Sequence, residues 1–361
     1  MASCLIAAAP ALLEPQQPLL EPQQPQRSSS GYFWPRNKKQ LGSQGEQDGR
    51  LARILHALSL DRNGTFVEFG FNGRAGSNTE ALERRGWTGF RMDGSLDRPS
   101  ESLHKEWITS TTVVSLFRKY RVPPDITYVS IDLDSADIWI MKALLASEFQ
   151  PSVLTIEYNP NFPHGFPLAF PDPATTHVKH AGWDGDCYYG SSAMAIELAA
   201  REMGYVVADV EPGLDLFLVR SSLWGSRPTP SLGALPALHR PFNIGFYGRP
   251  HRAMSADKAA GYLDYPALMR NGSVAYARQM AALQIARLRA AGVACFVDPP
   301  CADDALVTCP LLFSKLCPSP GGGNPCVRYP PSSDDFPLAP FSPPVDTPET
   351  RYPPGFWRRR K

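Results

Sequence analysis

Proline placement limits where this chain can build a regular core. Of its 37 prolines, six fall in residues 1–36, ten in residues 37–225 and twenty-one in residues 226–361. Proline lacks the backbone donor and breaks helices and central strands, so the proline-poor middle is the stretch suited to a large regular core. It is long enough for one domain.

The flanks read differently. Residues 1–45 contain a tandem heptad, LLEPQQP at 12–18 and again at 19–25, whose alternating Pro and Gln cannot bury a face and predict a disordered, solvated tether. The apolar run Cys4–Leu13 is broken by Pro10 and lacks the basic start of a secretory signal. No uncharged apolar run nears the ~20 residues of a bilayer-crossing helix, and 36 Lys and Arg against 35 Asp and Glu leave no surplus charge for nucleic acid or an anionic membrane. Five of the seven cysteines lie between Cys295 and Cys326, in a Pro- and Gly-rich segment without a CxxC pair. That pattern suggests loop staples rather than a zinc site, and residues 301–361 are expected to be a largely disordered Pro/Cys-rich tail. Asn63-Gly-Thr65 and Asn271-Gly-Ser273 are glycosylation sequons that matter only in a secretory lumen. The weak leader favours a cytoplasmic chain, while the sequons and the cysteine ladder keep a secretory lumen open.

In the middle, Leu51, Ile54, Leu55 and Leu58 recur at helical spacing and stop at Asn63-Gly64. Thr65–Gly70 is a β-rich run carrying Glu68, Phe71–Gly76 a glycine turn, Ser77–Arg85 a helix, and Phe90–Asp93 a second strand that also ends in an acid. Glu106–Thr109 is expected as a third strand and Val113–Tyr120 as a helix. Ile126–Asp134 is a buried strand delivering Asp132 and Asp134, Ile138–Ser147 a helix, and Pro151–Asn159 another buried strand. Ser191–Met203 is an alanine-rich helix, and Tyr205–Val210 with Leu214–Arg220 a closing antiparallel hairpin. Strands separated by helix-length segments imply a parallel α/β sheet spanning residues 46–225. Val274–Ala291, with Tyr276, Met280, Leu283 and Ile285, predicts a helical extension over 226–300. In such a sheet a glycine turn lets backbone amides approach a ligand at the strand ends, and an acid after the next strand accepts ribose hydroxyls. Gly70, Gly73 and Gly76 fit the first part and Asp93 the second.

These residues carry a family resemblance. Phe66–Gly70 with Ser77–Thr79, Gly86-Trp87 and Asp93-Gly94, then Ser130–Asp137, Ile156–Asn159, Tyr189–Met194 and Leu216–Arg220 resemble, in this order, FkbM-type S-adenosylmethionine-dependent methyltransferases. The match covers about residues 60–222; after Asp134 the chain reads Ser-Ala where many relatives carry Gly-Asn. The resemblance implies a Rossmann-like class I methyltransferase sheet, mostly parallel with an antiparallel last strand, and O-methylation of a hydroxyl on a small-molecule or glycan acceptor. Together with the strand-end logic it implies Glu68, Gly70 and Gly73 at the methionine part of S-adenosylmethionine, Asp93 at the ribose, Thr109 near the adenine and Asp132 facing the methyl group.

Asp132, Asp134, Glu157, Asn159 and His164 are the candidate catalytic residues. Asp132, Asp134 and Asp137 are spaced to bring oxygens to one Mg²⁺ or Mn²⁺, although Asp137 equally reads as the cap of the following helix. His164, His177 and His180, with Trp183, Tyr188 and Tyr189, lie in a loop that reads as an acceptor lid. Two rival functions share these residues. A metal-dependent glycosyltransferase would use Asp132-Leu-Asp134, but leaves the Gly70–Gly76 turn and Asp93 without a role. A non-catalytic methyltransferase-like scaffold would suit the tails, but not the retained strand-end acids.

Overall fold

A computed structural model describes residues 42–71, 73–74, 76–176, 186–235, 254–291 and 293. The expectations for residues 1–41, 236–253 and 301–361, for His177, His180 and Trp183, and for Cys295–Cys326 fall outside these. Alternating strands and helices dominate: α1 (Gln47–Ala57), β1 (Thr65–Phe69), α2 (Glu80–Glu83), β2 (Thr88–Asp93), β3 (Leu103–Lys105), α3 (Val113–Lys119), β4 (Tyr128–Ile131), α4 (Asp137–Leu145) and β5 (Val153–Glu157). There follow β6 (Leu168–Ala169), α5 (Pro173–Thr176), α6 (Ala193–Glu202), β7 (Tyr205–Glu211), β8 (Asp215–Arg220), α7 (Ser221–Trp224), α8 (Ala256–Ala259), β9 (Leu263–Asp264), α9 (Tyr265–Asn271) and α10 (Val274–Ala290).

Seven strands form one sheet in the order β3-β2-β1-β4-β5-β8-β7. The first five run parallel, and β8 lies antiparallel between β5 and β7. The central strands β1, β4 and β5 are short and mostly apolar because helices cover the parallel sheet on its faces. Val67, Phe69, Val129, Ile131, Leu154 and Ile156 are each buried and join one core with Ile138, Met141 and Leu144 of α4 and Ile196 and Ala199 of α6. From β1 the chain winds outward to β2 and β3 and then returns to place β4 on the other flank of β1. The ends of β1 and β4 therefore border the reversal point of the sheet, where open α/β sheets bind ligands.

Three elements differ from the sequence expectation. The third strand is Leu103–Lys105 rather than Glu106–Thr109: β3 pairs with Arg91–Asp93, and once β2 ends at Asp93 no partner remains to extend it. Helix α2 spans only Glu80–Glu83, because Ser77–Thr79 are drawn onto Glu68 instead of starting the helix. In α10 the buried positions are Ala277, Ala281, Ile285 and Leu288, whereas Tyr276 and Leu283 are exposed. The alanines make the packing stripe at i, i+4 spacing.

The segment after residue 254 adds to the main fold. Strand β9 pairs antiparallel with β6, matching Ala169 to Leu263, and Tyr265 joins the main core. Tyr262 is fully buried and meets Phe162 and Tyr188 edge-on, at 5.0 and 5.6 Å between ring centroids. The pairing partner, Leu168–Ala169, sits in a stretch that sequence patterning leaves as loop.

Candidate active site

Acids accumulate at the carboxyl edge of the sheet because strand after strand ends in one: Glu68 in β1, Asp93 in β2, Asp132 just past β4 and Glu157 in β5. Strand β8 runs the other way, so its first residue, Asp215, reaches the same edge, in register with Glu157.

The turn after β1 is built for close approach. Gly70 has φ 78°, and a Cβ there would lie 1.6 Å from the Asp132 carbonyl oxygen, so only glycine lets β1 and β4 end this close. Gly73, with φ 150°, has nothing among the described residues within 4 Å of a Cβ position, so these leave space beside its backbone. Gly76 donates to the Gly42 carbonyl at 2.5 Å, tying the segment before α1 to the turn.

Glu68 organises this turn from beneath. One of its oxygens accepts from the Asn78 amide at 2.8 Å; the other accepts from the Ser77 hydroxyl at 2.8 Å and from the Thr79 hydroxyl at 2.5 Å. The Arg91 guanidinium, fully buried and stacked between Phe66 and Phe71, adds an ion pair at 3.3 Å. Glu68 is thus a positioning residue, its oxygens engaged by its own chain. Asp93 differs. Its Oδ1 accepts from the Ser95 amide and hydroxyl and the Leu96 amide, and Oδ2 takes no hydrogen bond among the described residues. Close by, Trp107 is 63 % exposed and its ring lies against Gly94, 3.1 Å from where a Cβ would stand.

Asp132, Asp134 and Glu157 form the centre of the edge. Each offers a carboxylate oxygen within 4.8 Å of the others, and all three are half-buried. Asp134 is held at φ 56°, an arrangement that costs a residue with a side chain about 1–2 kcal/mol. Burial, then the neighbouring negative charges, push the carboxyls of Asp132 and Glu157 well above the ordinary range. Glu157 Oε2 is out of reach of solvent and has no hydrogen-bond partner among the described residues. Such a group either keeps protons or takes a cation, and three hard oxygens suit Mg²⁺ or Mn²⁺. Burial also lifts Asp215, to about 7, against a hydrogen bond from Gln47 that lowers it.

Not every expected residue joins this centre. Asp137 stands apart: its oxygens accept from the Leu133 and Ser135 amides, both at 2.8 Å, so it fastens the loop that carries Asp134. Asn159 spends its whole side chain on structure, donating to the Cys187 and Tyr189 carbonyls and accepting from Asn161. His164 sits on an exposed loop, 4.0 Å from Glu197. The Thr109 hydroxyl accepts from the Thr112 amide at 3.1 Å and so ties the entry to α3. No family model matches this chain, and no curated protein matches it.

Asp215 and Trp107 are the site residues that sequence reasoning missed. Asp215 opens a strand instead of closing one, and only the antiparallel placement of β8 brings it to the acidic edge. Trp107 falls in the expected strand Glu106–Thr109, whereas β3 ends at Lys105.

Proposed function

We propose that this protein is an S-adenosylmethionine-dependent methyltransferase acting on a hydroxyl of a small-molecule or glycan acceptor. The observation that carries this reading is the pairing of two features on adjacent strand ends. One is the left-handed Gly70 turn, seated on Asp132 with space left beside Gly73 by the described residues; the other is Asp93, with one oxygen spent on its own turn and one left over. The sheet order, with an antiparallel strand inserted next to the edge, is also that expected of class I methyltransferases.

The turn has room for a ligand where a Cβ would otherwise stand, and the residues around it fit the cofactor. Amides near Gly73 would face the methionine part, Asp93 would accept the ribose hydroxyls, and Trp107 would offer the adenine a flat face. When bound, S-adenosylmethionine supplies an electrophilic methyl group on a sulfonium. The chain's own task is to orient the acceptor in line and to take up its proton. Asp132 and Glu157 suit the second role, because burial and mutual repulsion raise their proton affinity. A divalent cation held by Asp132, Asp134 and Glu157 would lower the acceptor's own pKa instead.

Titration calorimetry tests the reading against its rivals. The methyltransferase reading expects S-adenosylmethionine binding that weakens at least tenfold in Asp93→Ala. Binding of a sugar nucleotide in its place would favour the metal-dependent glycosyltransferase, and binding of neither a scaffold. Methyl transfer from labelled S-adenosylmethionine across an acceptor panel, compared with Asp132→Asn, then tests the chemistry.

A further inference from the structure

We propose that this chain is a glycoprotein of an oxidising lumen, with N-linked oligosaccharide on Asn63 and Asn271. Three observations carry this, and none depends on the methyltransferase reading.

The first is chemical. Cys187 is disulfide-bonded and fully buried, and its own carbonyl is held by Asn159. Forming that bond removes two protons and two electrons from a pair of thiols and passes them to a disulfide oxidant, which secretory compartments supply and a glutathione-buffered cytosol opposes. Cys187 itself packs in one cluster with Phe162, Phe170, Tyr188 and Tyr262, so its oxidised state belongs to the fold. This bond and the sequons point to the same compartment.

The second is the placement of the two sequons. Asn63 lies in the exposed turn between α1 and β1, and Asn271 closes α9 at an exposed corner before Gly272 turns with φ 69°. Neither asparagine side chain makes a hydrogen bond among the described residues, so neither has a structural task that a sugar would disturb. In the modification a lipid diphosphate-linked oligosaccharide is the donor. Its anomeric carbon–phosphate oxygen bond breaks, a bond from that carbon to Asn Nδ2 forms, the amide gives up one proton and the lipid diphosphate leaves.

The third is position relative to the site. Asn63 precedes β1, whereas the acids lie past its far end; five strand residues at about 3.3 Å each put roughly 17 Å of sheet between them. A glycan there points away from the ligand edge. Asn271 lies in the segment packed beyond β9, flanked in the chain by Met269 and Tyr276, which are 39 % and 38 % exposed. A polar glycan at that corner shields apolar surface.

The test is peptide mapping by mass spectrometry on the full chain isolated unreduced from the cells that make it. Intact glycopeptide masses are read, since Asn-Gly deamidates spontaneously and deamidation cannot stand in for a glycan. The expected result is an oligosaccharide on both Asn63 and Asn271, together with a Cys187 peptide released only by reductant. A bare asparagine at either position, or a free Cys187 thiol, would overturn the proposal. Asn63→Gln and Asn271→Gln should each remove one glycan's mass and leave S-adenosylmethionine affinity unchanged within twofold. A mass loss in a protein that binds no S-adenosylmethionine would sink only the methyltransferase reading.

Discussion

Gly70 and Asp132 touch backbone to backbone: the space a Gly70 side chain would need is filled by the Asp132 carbonyl, 1.6 Å from the Cβ position. The contact joins the ends of β1 and β4, and so sets the glycine turn beside the central carboxylates. Gly70→Ala meets both this clash and a φ of 78°. It should cost about 3 kcal/mol or more, read from urea unfolding. A loss below about 1 kcal/mol would mean that the two strand ends can separate at little cost.

Glu68 and Arg91 form a buried pair that holds Ser77, Asn78 and Thr79 in place. Arg91 keeps Glu83 at 3.1 Å and Glu80 at 3.9 Å, but Glu68→Ala leaves the Ser77 and Thr79 hydroxyls and the Asn78 amide without their acceptor, so a loss of about 1–3 kcal/mol for each is expected. Hydrogen exchange separates the causes. The Asn78 and Glu80 amides should lose protection more than those of β7 if the turn loosens locally, and equally if the whole domain is destabilised.

Asn159 holds two buried carbonyls, those of Cys187 and Tyr189. Asn159→Ala leaves both without this donor, at about 1–3 kcal/mol each, although Tyr262 still donates to the Tyr189 carbonyl at 3.0 Å. Thermal unfolding should show the loss while S-adenosylmethionine affinity stays within twofold of wild type. A large drop in that affinity would return Asn159 to the ligand site.

Asp215 makes stability pH-dependent. Burial lifts its pKa from 3.8 to about 7, so the folded state keeps a proton that the unfolded chain gives up. Its contribution is therefore fully present below about pH 4 and lost as pH rises through about 7. Asp215→Asn retains an acceptor for Gln47 and cannot ionise. With chelator present, it should match wild type near pH 4 and exceed it in unfolding midpoint above pH 7; an unchanged difference across the range would refute this.

Asp132, Asp134 and Glu157 repel one another, so a divalent cation should stabilise the fold. Mn²⁺ at a hundred times its dissociation constant adds about 2.7 kcal/mol, seen as a rise in unfolding temperature. Asp132→Asn and Glu157→Gln should lose most of that rise and be as stable as wild type, or more so, in chelator. No rise in the wild type would assign the cluster to proton storage instead.

Periodicity and strand-end chemistry made much of this legible. The runs Phe66–Phe69, Tyr128–Ile131 and Val153–Ile156 announce buried strands by themselves, because a sheet covered on both faces needs apolar residues throughout. Asp132 and Glu157, which directly follow two of those runs, mark the ligand edge, whereas Glu68 and Arg91 lie inside buried strands because each is paired there. Asn63 and Asn271 are legible too, as local sequence motifs, though their exposure is not.

What local sequence leaves open is which acids meet. Asp137 follows Asp132 and Asp134 in the chain, yet Glu157 joins them instead, because β4 and β5 pair with Ile131 beside Ile156 and so set the residues after each side by side. Asp137 is held back by the amides of Leu133 and Ser135, and Glu68 by the turn it organises. The sequence alone determined the buried strands β1, β4 and β5 and the acids at or near their ends. Tertiary structure decided which of them face a ligand, since strand pairing and hydrogen-bond competition act between residues distant in the chain.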